Sequence, residues 1–389
     1  MLLNIEDARS IIRNRFNERL KFTKLNVLDA IGKVVSHDII SPKDVPEINI
    51  SSMDGYAFRI KDYEKYGKLK VIGSLYPTTN EIPELEEGCA YYVTTGAPIP
   101  KGADAVVRVE ASKIVNNYLI VGEEVFSGKD IRIAGDDVKK GEIVIKKGEV
   151  ITPYHLALLL RLGIREVNVV NYKFCIIAIG DELKPYDKIV NNEDIIDSIS
   201  PVIVSLLSKF GKTYYEGVIS DNESAIVEKL TNLVNSCDII ITIGGSSVGE
   251  RDFTKKAIRR IGELLFEGVN VNVLKRGSVG VINDVPVISL PGQIVSAVTV
   301  FHEHILNLLS RFIGVELRQY FKAKLYEDLY VKHKMDSVYL FSSMGEYVKP
   351  LRWGVGLYSV VIKADSFGIL KRGINYKRGE EIVVQRLLI

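Results

Sequence analysis

Between Phe174 and about Gly314 the chain alternates apolar runs of strand length with helical segments. The order is FCIIAI, a helix ending near Gly211, YYEGVI, the helix NESAIVEKLTNLV, DIIITIG, a further helix, and VPVISL leading into a helix from Ile294. Strands that are apolar at nearly every position are buried on both faces, and helices between them supply crossover connections. This stretch therefore predicts a doubly wound parallel sheet covered on both sides. In such a sheet, ligands bind beyond the carboxyl ends of the strands. Three polar loops fall there: GDEL from Gly180, GGSSVGERD from Gly244 and LPGQ from Leu290. Their coincidence points to one shared site.

The flanking sequence has other patterns. The first forty residues read as helical, with Asn4 as N-cap and Ile5, Ala8, Ile12 and Phe16 on one face. From Pro46 short β-rich runs such as LKVIGSLY and ADAVVRVE are broken by Gly, Pro and Asn. Helix returns where Thr152 suits the cap, Pro153 the first helical position and Gly163 the residue past the end. Residues 1–45 and 138–170 are thus expected to form a discontinuous helical domain interrupted by a β-rich insert, 46–137. An α/β domain over 171–319 and a small β-barrel over 320–389 follow, the latter read from DLYV, SVYLF, YSVVIKA and EIVVQRLLI. A multidomain α/β chain agrees with a length of 389 residues.

Composition narrows the function classes. Lys plus Arg (51) nearly balance Asp plus Glu (49), and a net charge of +2 does not support a nucleic-acid or polybasic membrane surface as the main function. No apolar run approaches the ~18 residues of a membrane span, and acids and arginines interrupt MLLNIEDARSIIRNR where a signal peptide needs an apolar core. A cytoplasmic protein is expected. Cys89, Cys175 and Cys237 are odd in number and sit in apolar contexts, so buried thiols without a disulfide or zinc site are expected.

Two features carry chemistry. In the loop from Gly244, backbone N–H groups and hydroxyls of Gly244, Gly245, Ser246, Ser247 and Gly249 are able to converge on an anion; the alternative is a glycine turn serving only the fold. Asp181, Glu182, Glu250 and Asp252 lie beside it, as Mg²⁺ ligands near a phosphate do, though any one of them taken alone is better read as a helix N-terminal acid compensating the macrodipole. Neither a Walker P-loop nor a G-x-G-x-x-G helix opening is present. The five histidines read as structural or surface residues: His302 and His304, two apart on a helix, face different directions, and His37, His155 and His333 are isolated.

Taken together, SSMDGYAF, TTGAPIPKGADAVVRVE, RIAGDDV with KKGEVITP, GDEL with Asp197 and Ser198, GGSSVGERDF and LPGQIVSA stand in the order and spacing of one family. The chain resembles the molybdopterin molybdenumtransferases (MoeA and the E domain of gephyrin). The resemblance implies a central domain of molybdopterin-binding type, four domains per subunit, and a homodimer in which the insert of one subunit covers the sheet edge of the other. It further implies that adenylylated molybdopterin and molybdate or tungstate are substrates, that Mg²⁺ is required, that AMP is released, and that the molybdopterin adenylyltransferase is a partner. Carried over by position, the catalytic residues fall on Asp54, Thr95, Asp137, Glu182 and Asp252, with Glu182 and Asp252 holding Mg²⁺. The loop from Gly244 would take phosphate oxygens, with Lys275, Arg276, Ser278, Pro291 and Gly292 also in the binding site.

The chain departs from the family pattern at several positions. Family lysines are replaced by Val271 and Ser278, LPGN-P reads as Gln293 and Ile294, the DSN triplet has Ile199, and GSG has Val355. Arg251 and Arg276 are candidates to restore the charge, since a guanidinium fork suits oxyanions. Two alternatives accompany the transferase reading: a non-catalytic pterin-binding or scaffold paralogue, and a molybdopterin adenylyltransferase. Retention of the five polar positions favours turnover over a scaffold, and the insert and barrel disfavour the adenylyltransferase.

Overall fold

The computed structural model describes residues 2–188, 191, 194–245 and 252–388. Ser246, Ser247, Gly249, Glu250 and Arg251 therefore lie outside the described residues. The chain divides into two compact units, one of Met1–His37, Lys147–Leu156 and Arg165–Ile389, the other of Asp38–Lys146 and Ala157–Ile164.

The first unit is built on a six-stranded sheet in the order Gly211–Ile219, Tyr172–Ile179, Ile239–Gly244, Val285–Leu290, Ser278–Ile282, Glu263–Phe266. The first four strands are parallel, as the alternating pattern predicts, whereas the last two are antiparallel additions at one edge. The reason for the edge is local. Asn283 and Asp284 both adopt positive φ, 49° and 64°, which turns the chain directly back as a two-residue hairpin. Side chains alternate between two cores. Ile176, Ile241 and Ile288 meet the helix Ser200–Leu207 through Ile203 and Leu207, while Ile177, Ile240 and Val287 meet Glu223–Leu233 and Phe253–Ile261 through Ile226, Leu230 and Ile258. Burial of each such side chain stabilises by about 1.5–3 kcal/mol, which is why both strand faces are apolar.

This sheet corrects one expectation. Cys175 and Cys237, read as free thiols, are joined in a disulfide. Phe174 is in register with Ile239 on the neighbouring parallel strand, so two strand starts 62 residues apart in sequence lie side by side, with a Cα–Cα separation of 6.0 Å. Cys89 remains free and buried.

The N-terminal segment is also less helical than its pattern suggests. Asn4 caps Ile5–Arg15, its side chain accepting the Asp7 N–H at 2.8 Å, and Ala8 and Ile12 are buried. After that helix Phe22–Asn26 is a strand, paired antiparallel with Glu166–Val170. Pairing across 140 residues is invisible to a helical periodicity. The C-terminal strands close into a barrel in the order Asp336–Met344, Tyr347–Pro350, Tyr320–Leu325, Glu381–Arg386, Ser366–Leu370, with the last pairing back to the first. Ala323, Leu325, Phe341, Val348, Ile382 and Val384 fill it. No helix among the described residues is long and apolar enough to cross a membrane.

The second unit centres on a six-stranded sheet ordered Ala105–Arg108, Gly55–Phe58, Cys89–Val93, Leu69–Leu75, Tyr118–Val121, Ser112–Val115. Gly55 sits between two partners, Val93 and Arg108, and a Cβ there would lie 2.2 Å from the Val107 carbonyl oxygen. Only glycine is accommodated, which explains the glycine of MDGYA.

Candidate functional site

In the first unit, the parallel strands Gly211–Ile219, Tyr172–Ile179 and Ile239–Gly244 end level, since Ile179 pairs with both Ile219 and Gly244. The chain runs from the second of these to the first-listed one and then crosses to the third, so the order reverses between Tyr172–Ile179 and Ile239–Gly244. A crevice at such a reversal is where a doubly wound sheet binds ligands. A cavity of 320 Å³ lies there, receiving Gly180 and Glu182 from one strand end, Asp221 from another, Gly244 and Gly245 from the third, and Gly292 and Gln293 from the loop after Val285–Leu290.

Glycine is required where these loops leave the sheet. Gly244 has φ +87°, and a Cβ on it would be 2.4 Å from the Ile179 carbonyl oxygen. Gly245 follows at φ +62°. Two successive left-handed residues turn the chain sharply at the strand end, a conformation costly for any residue with a Cβ.

Charge in the cavity is arranged asymmetrically. Its lining includes the carboxylates of Glu182, Asp197 and Asp221 and one cation, Arg276. The Arg276 Nε is buried and has no hydrogen-bond partner in the described structure. Asp197 is 3% exposed and fixed: its carboxylate accepts the Ser200 N–H at 3.0 Å and the Tyr215 hydroxyl at 3.0 Å. Burial, followed by the charge of Asp197, raises the Tyr215 pKa, so that hydroxyl stays a donor. Tyr358 reaches in from Tyr358–Lys363, which is a helix and not the barrel strand its apolar pattern suggested, its hydroxyl 2.7 Å from the Ser198 hydroxyl.

The remaining sequence-derived residues are placed as follows. Asp252 caps the helix Phe253–Ile261, accepting the Lys255 N–H at 3.2 Å, and is ion-paired with the Lys255 ammonium at 2.7 Å. It does not line the cavity, and neither do Lys275, Ser278 and Pro291. Positions 271 and 278 are core positions here: Val271 is 2% and Ser278 0% exposed. The cavity's positive charge thus rests on Arg276 among the described residues. No three His, Cys, Asp or Glu side chains among the described residues are grouped to hold a metal ion.

In the second unit, the pairing of Gly55 with Val93 sets Asp54 beside the TTGAP turn. Asp54 Oδ1 accepts both the Thr95 N–H at 2.6 Å and the Thr95 hydroxyl at 2.8 Å. These bonds, the backbone one first, hold the Asp54 carboxyl below its ordinary pKa and keep it anionic. Asp137 is exposed on another turn of the same unit, its N–H donating to the Val45 carbonyl at 2.9 Å.

Residues 3–163 match the MoeA N-terminal region (domain I and II), and residues 175–311 match the probable molybdopterin binding domain. A protein of Methanocaldococcus jannaschii named for molybdopterin biosynthesis is 30% identical, over 99% of this chain and 98% of its own. The chain belongs to the MoeA family of molybdopterin molybdenumtransferases. The molybdopterin molybdenumtransferase of Haemophilus influenzae is 29% identical across 99% of this chain and 98% of its own. A crystal structure of the MoeA protein of Pyrococcus horikoshii superposes with a TM-score of 0.79 at 28% identity, covering 99% of this chain and 100% of that one.

Two polar lining residues carried no motif. Asp221 follows the strand YYEGVI just as GDEL follows its strand, a positional signal available in the sequence. Tyr358 lies well beyond Leu290, the last residue of the sheet in sequence, and nothing local marks it.

Proposed function

We propose that this MoeA-family chain acts late in molybdenum cofactor biosynthesis in the cytoplasm, as a homodimer, transferring molybdate or tungstate to adenylylated molybdopterin with release of AMP. The observation that carries this reading is the strand-end cavity, lined by three carboxylates and by Arg276, whose Nε is buried without a hydrogen-bond partner in the described structure. A cation donor suits an oxyanion or a phosphoanhydride oxygen, and acids beside it suit a hard cation shared with phosphate.

The donor set is compatible with Mg²⁺, an ion that usually takes one or two carboxylates and completes its shell from phosphate and water. Glu182 would be the ligand on the cavity, and Asp252, which lies off the cavity lining, would serve as the second only once released from Lys255. Bound Mg²⁺ would offset charge on the phosphoanhydride. The chain's own residues do the rest: Gly244 and Gly245 turn the backbone into the crevice, Arg276 takes an anionic oxygen, and Asp197 holds the floor through Tyr215 and Ser200. Asp54, Thr95 and Asp137 are proposed to position pterin and oxyanion. The molybdopterin adenylyltransferase is the proposed supplier of the substrate.

Burial of positions 271 and 278 favours the second reading, a pterin-binding scaffold without turnover. One experiment separates the two. Pure protein is incubated with adenylylated molybdopterin, Mg²⁺ and each oxyanion, and AMP and finished cofactor are measured. Turnover is expected, falling at least ~100-fold in Glu182→Ala, the scale of losing one transition-state electrostatic group. Arg276→Ala should raise the oxyanion concentration for half-maximal rate far more than it weakens binding of the adenylylated pterin. Binding without AMP release would establish the scaffold.

A further inference from the structure

A second cavity, of 400 Å³, opens on the C-terminal barrel and has no part in the reading above. Its walls are Tyr330, Lys332, His333, Ser337, Tyr339 and Trp353. Ser337 and Tyr339 are two apart on the Asp336–Met344 strand and so share one face; Tyr330 comes from Leu329–Tyr330, which pairs with Asn375–Tyr376. Trp353 is pinned from outside the cavity by its indole N–H, which donates to the Val338 carbonyl at 3.1 Å. The ring plane is therefore set before anything binds.

The aromatic faces are unused. Trp353 is 44% and Tyr330 51% exposed, and among the described residues neither ring, nor that of Tyr339, meets another aromatic ring or a cation. Tyrosine and tryptophan around a concave space are the side chains that stack on a flat ligand.

The polar groups here are mostly donors. His333 Nδ1 accepts the Met335 N–H at 3.0 Å, which places the neutral ring's proton on Nε2 and makes that atom a donor. The Ser337 hydroxyl is spent on the Met335 carbonyl at 3.1 Å. Lys332 is exposed and makes no side-chain bond in the described structure. Lys334 and Arg372 lie beside it, joined where the Arg372 guanidinium donates to the Lys334 carbonyl at 3.2 Å. The nearby acid, Asp336, is engaged by Lys371 at 2.9 Å and by the Arg372 N–H at 3.0 Å, and no carboxylate lines the cavity. With one ammonium and no carboxylate in its lining, the cavity favours an anion over a cation.

We infer that this cavity binds a planar heteroaromatic anion of about the size of a purine nucleoside monophosphate, its ring stacked on Trp353 and its phosphate toward Lys332. Flat faces alone would take any apolar ring, and lysines alone any phosphate. Their presence in the lining of one cavity selects a ligand carrying both.

The chain contains one tryptophan, so its fluorescence reports on this cavity and no other. The full-length protein is titrated with AMP, with adenosine, which has the ring without the charge, and with ribose 5-phosphate, which has the charge without the ring. Excitation is at the red edge of the indole band, where purines do not absorb. AMP should quench saturably, adenosine should need about tenfold more, and ribose 5-phosphate should have no effect. Tyr330→Ala should weaken AMP about tenfold, the scale of one stacking contact. Lys332→Gln should abolish both the preference for AMP over adenosine and the weakening by added salt. Both side chains are exposed, so these variants retain the fold. Arg276→Ala, which alters the strand-end cavity, should leave the titration unchanged. Absence of saturable quenching at millimolar AMP, equal responses to AMP and adenosine, or loss of the signal in Arg276→Ala would each overturn the assignment.

Discussion

Replacing His304 by leucine should remove much of the acid sensitivity of the unit that holds it. His302 and His304 lie on the turn Phe301–Ile305, each 1% exposed, and burial pushes both imidazoles from 6.5 down to about 4. Around His304 stand the Phe266 ring, at 5.2 Å between centroids, and the guanidiniums of Arg9 and Arg318, whose charge lowers its pKa further. The neighbouring Glu303 is engaged by Arg9 at 2.9 Å. His302 donates from Nδ1 to the Val298 carbonyl at 2.7 Å and accepts the Leu388 N–H on Nε2 at 2.8 Å, so protonation at Nε2 also breaks a backbone bond. Because the folded value lies below the unfolded one, the unfolded chain binds more protons between them. The stabilisation is present above about pH 6.5 and is lost as pH falls toward 4. At about pH 5 the loss is RT ln[(1 + 10^1.5)/(1 + 10^−1)], about 2 kcal/mol per histidine. Leucine fills the same apolar space without titrating. Urea unfolding of this unit at about pH 7 and about pH 5 should show a stability drop that is about 2 kcal/mol smaller in His304→Leu than in the unaltered chain. An equal drop in both would refute the reasoning.

Cys237→Ser opens the bridge that closes a loop of 62 residues, and should cost about 4 kcal/mol on a chain-entropy estimate; coincident denaturation curves with and without reductant would contradict the bridge. Alkylation of the unfolded, unreduced chain should label Cys89 alone. Thr95→Val removes one of the two bonds that hold Asp54 down, so the Asp54 carboxyl should titrate at higher pH, measured by carboxyl carbon NMR; an unmoved titration would show that the backbone bond alone sets it.

The central fold was legible because its signals are local. A run such as FCIIAI states its own burial on two faces, and the glycines after DIIITI mark a turn that no side chain permits, as the 2.4 Å approach of a Gly244 Cβ to the Ile179 oxygen bears out. Gly180, Glu182, Gly244, Gly245 and Gly292 were named from sequence and line one cavity, because they sit on loops leaving neighbouring parallel strands at the same end of the sheet. The tertiary structure alone decided whatever depends on register and strand order. Those are set by packing between segments distant in the chain. So the bond of Asp54 to Thr95, the entry of Tyr358 into the cavity, the burial of positions 271 and 278, and the meeting of Cys175 with Cys237 were not written in any local pattern. A residue's type states what it is able to bond, but which partner it meets is fixed only when the strands on either side have found their neighbours.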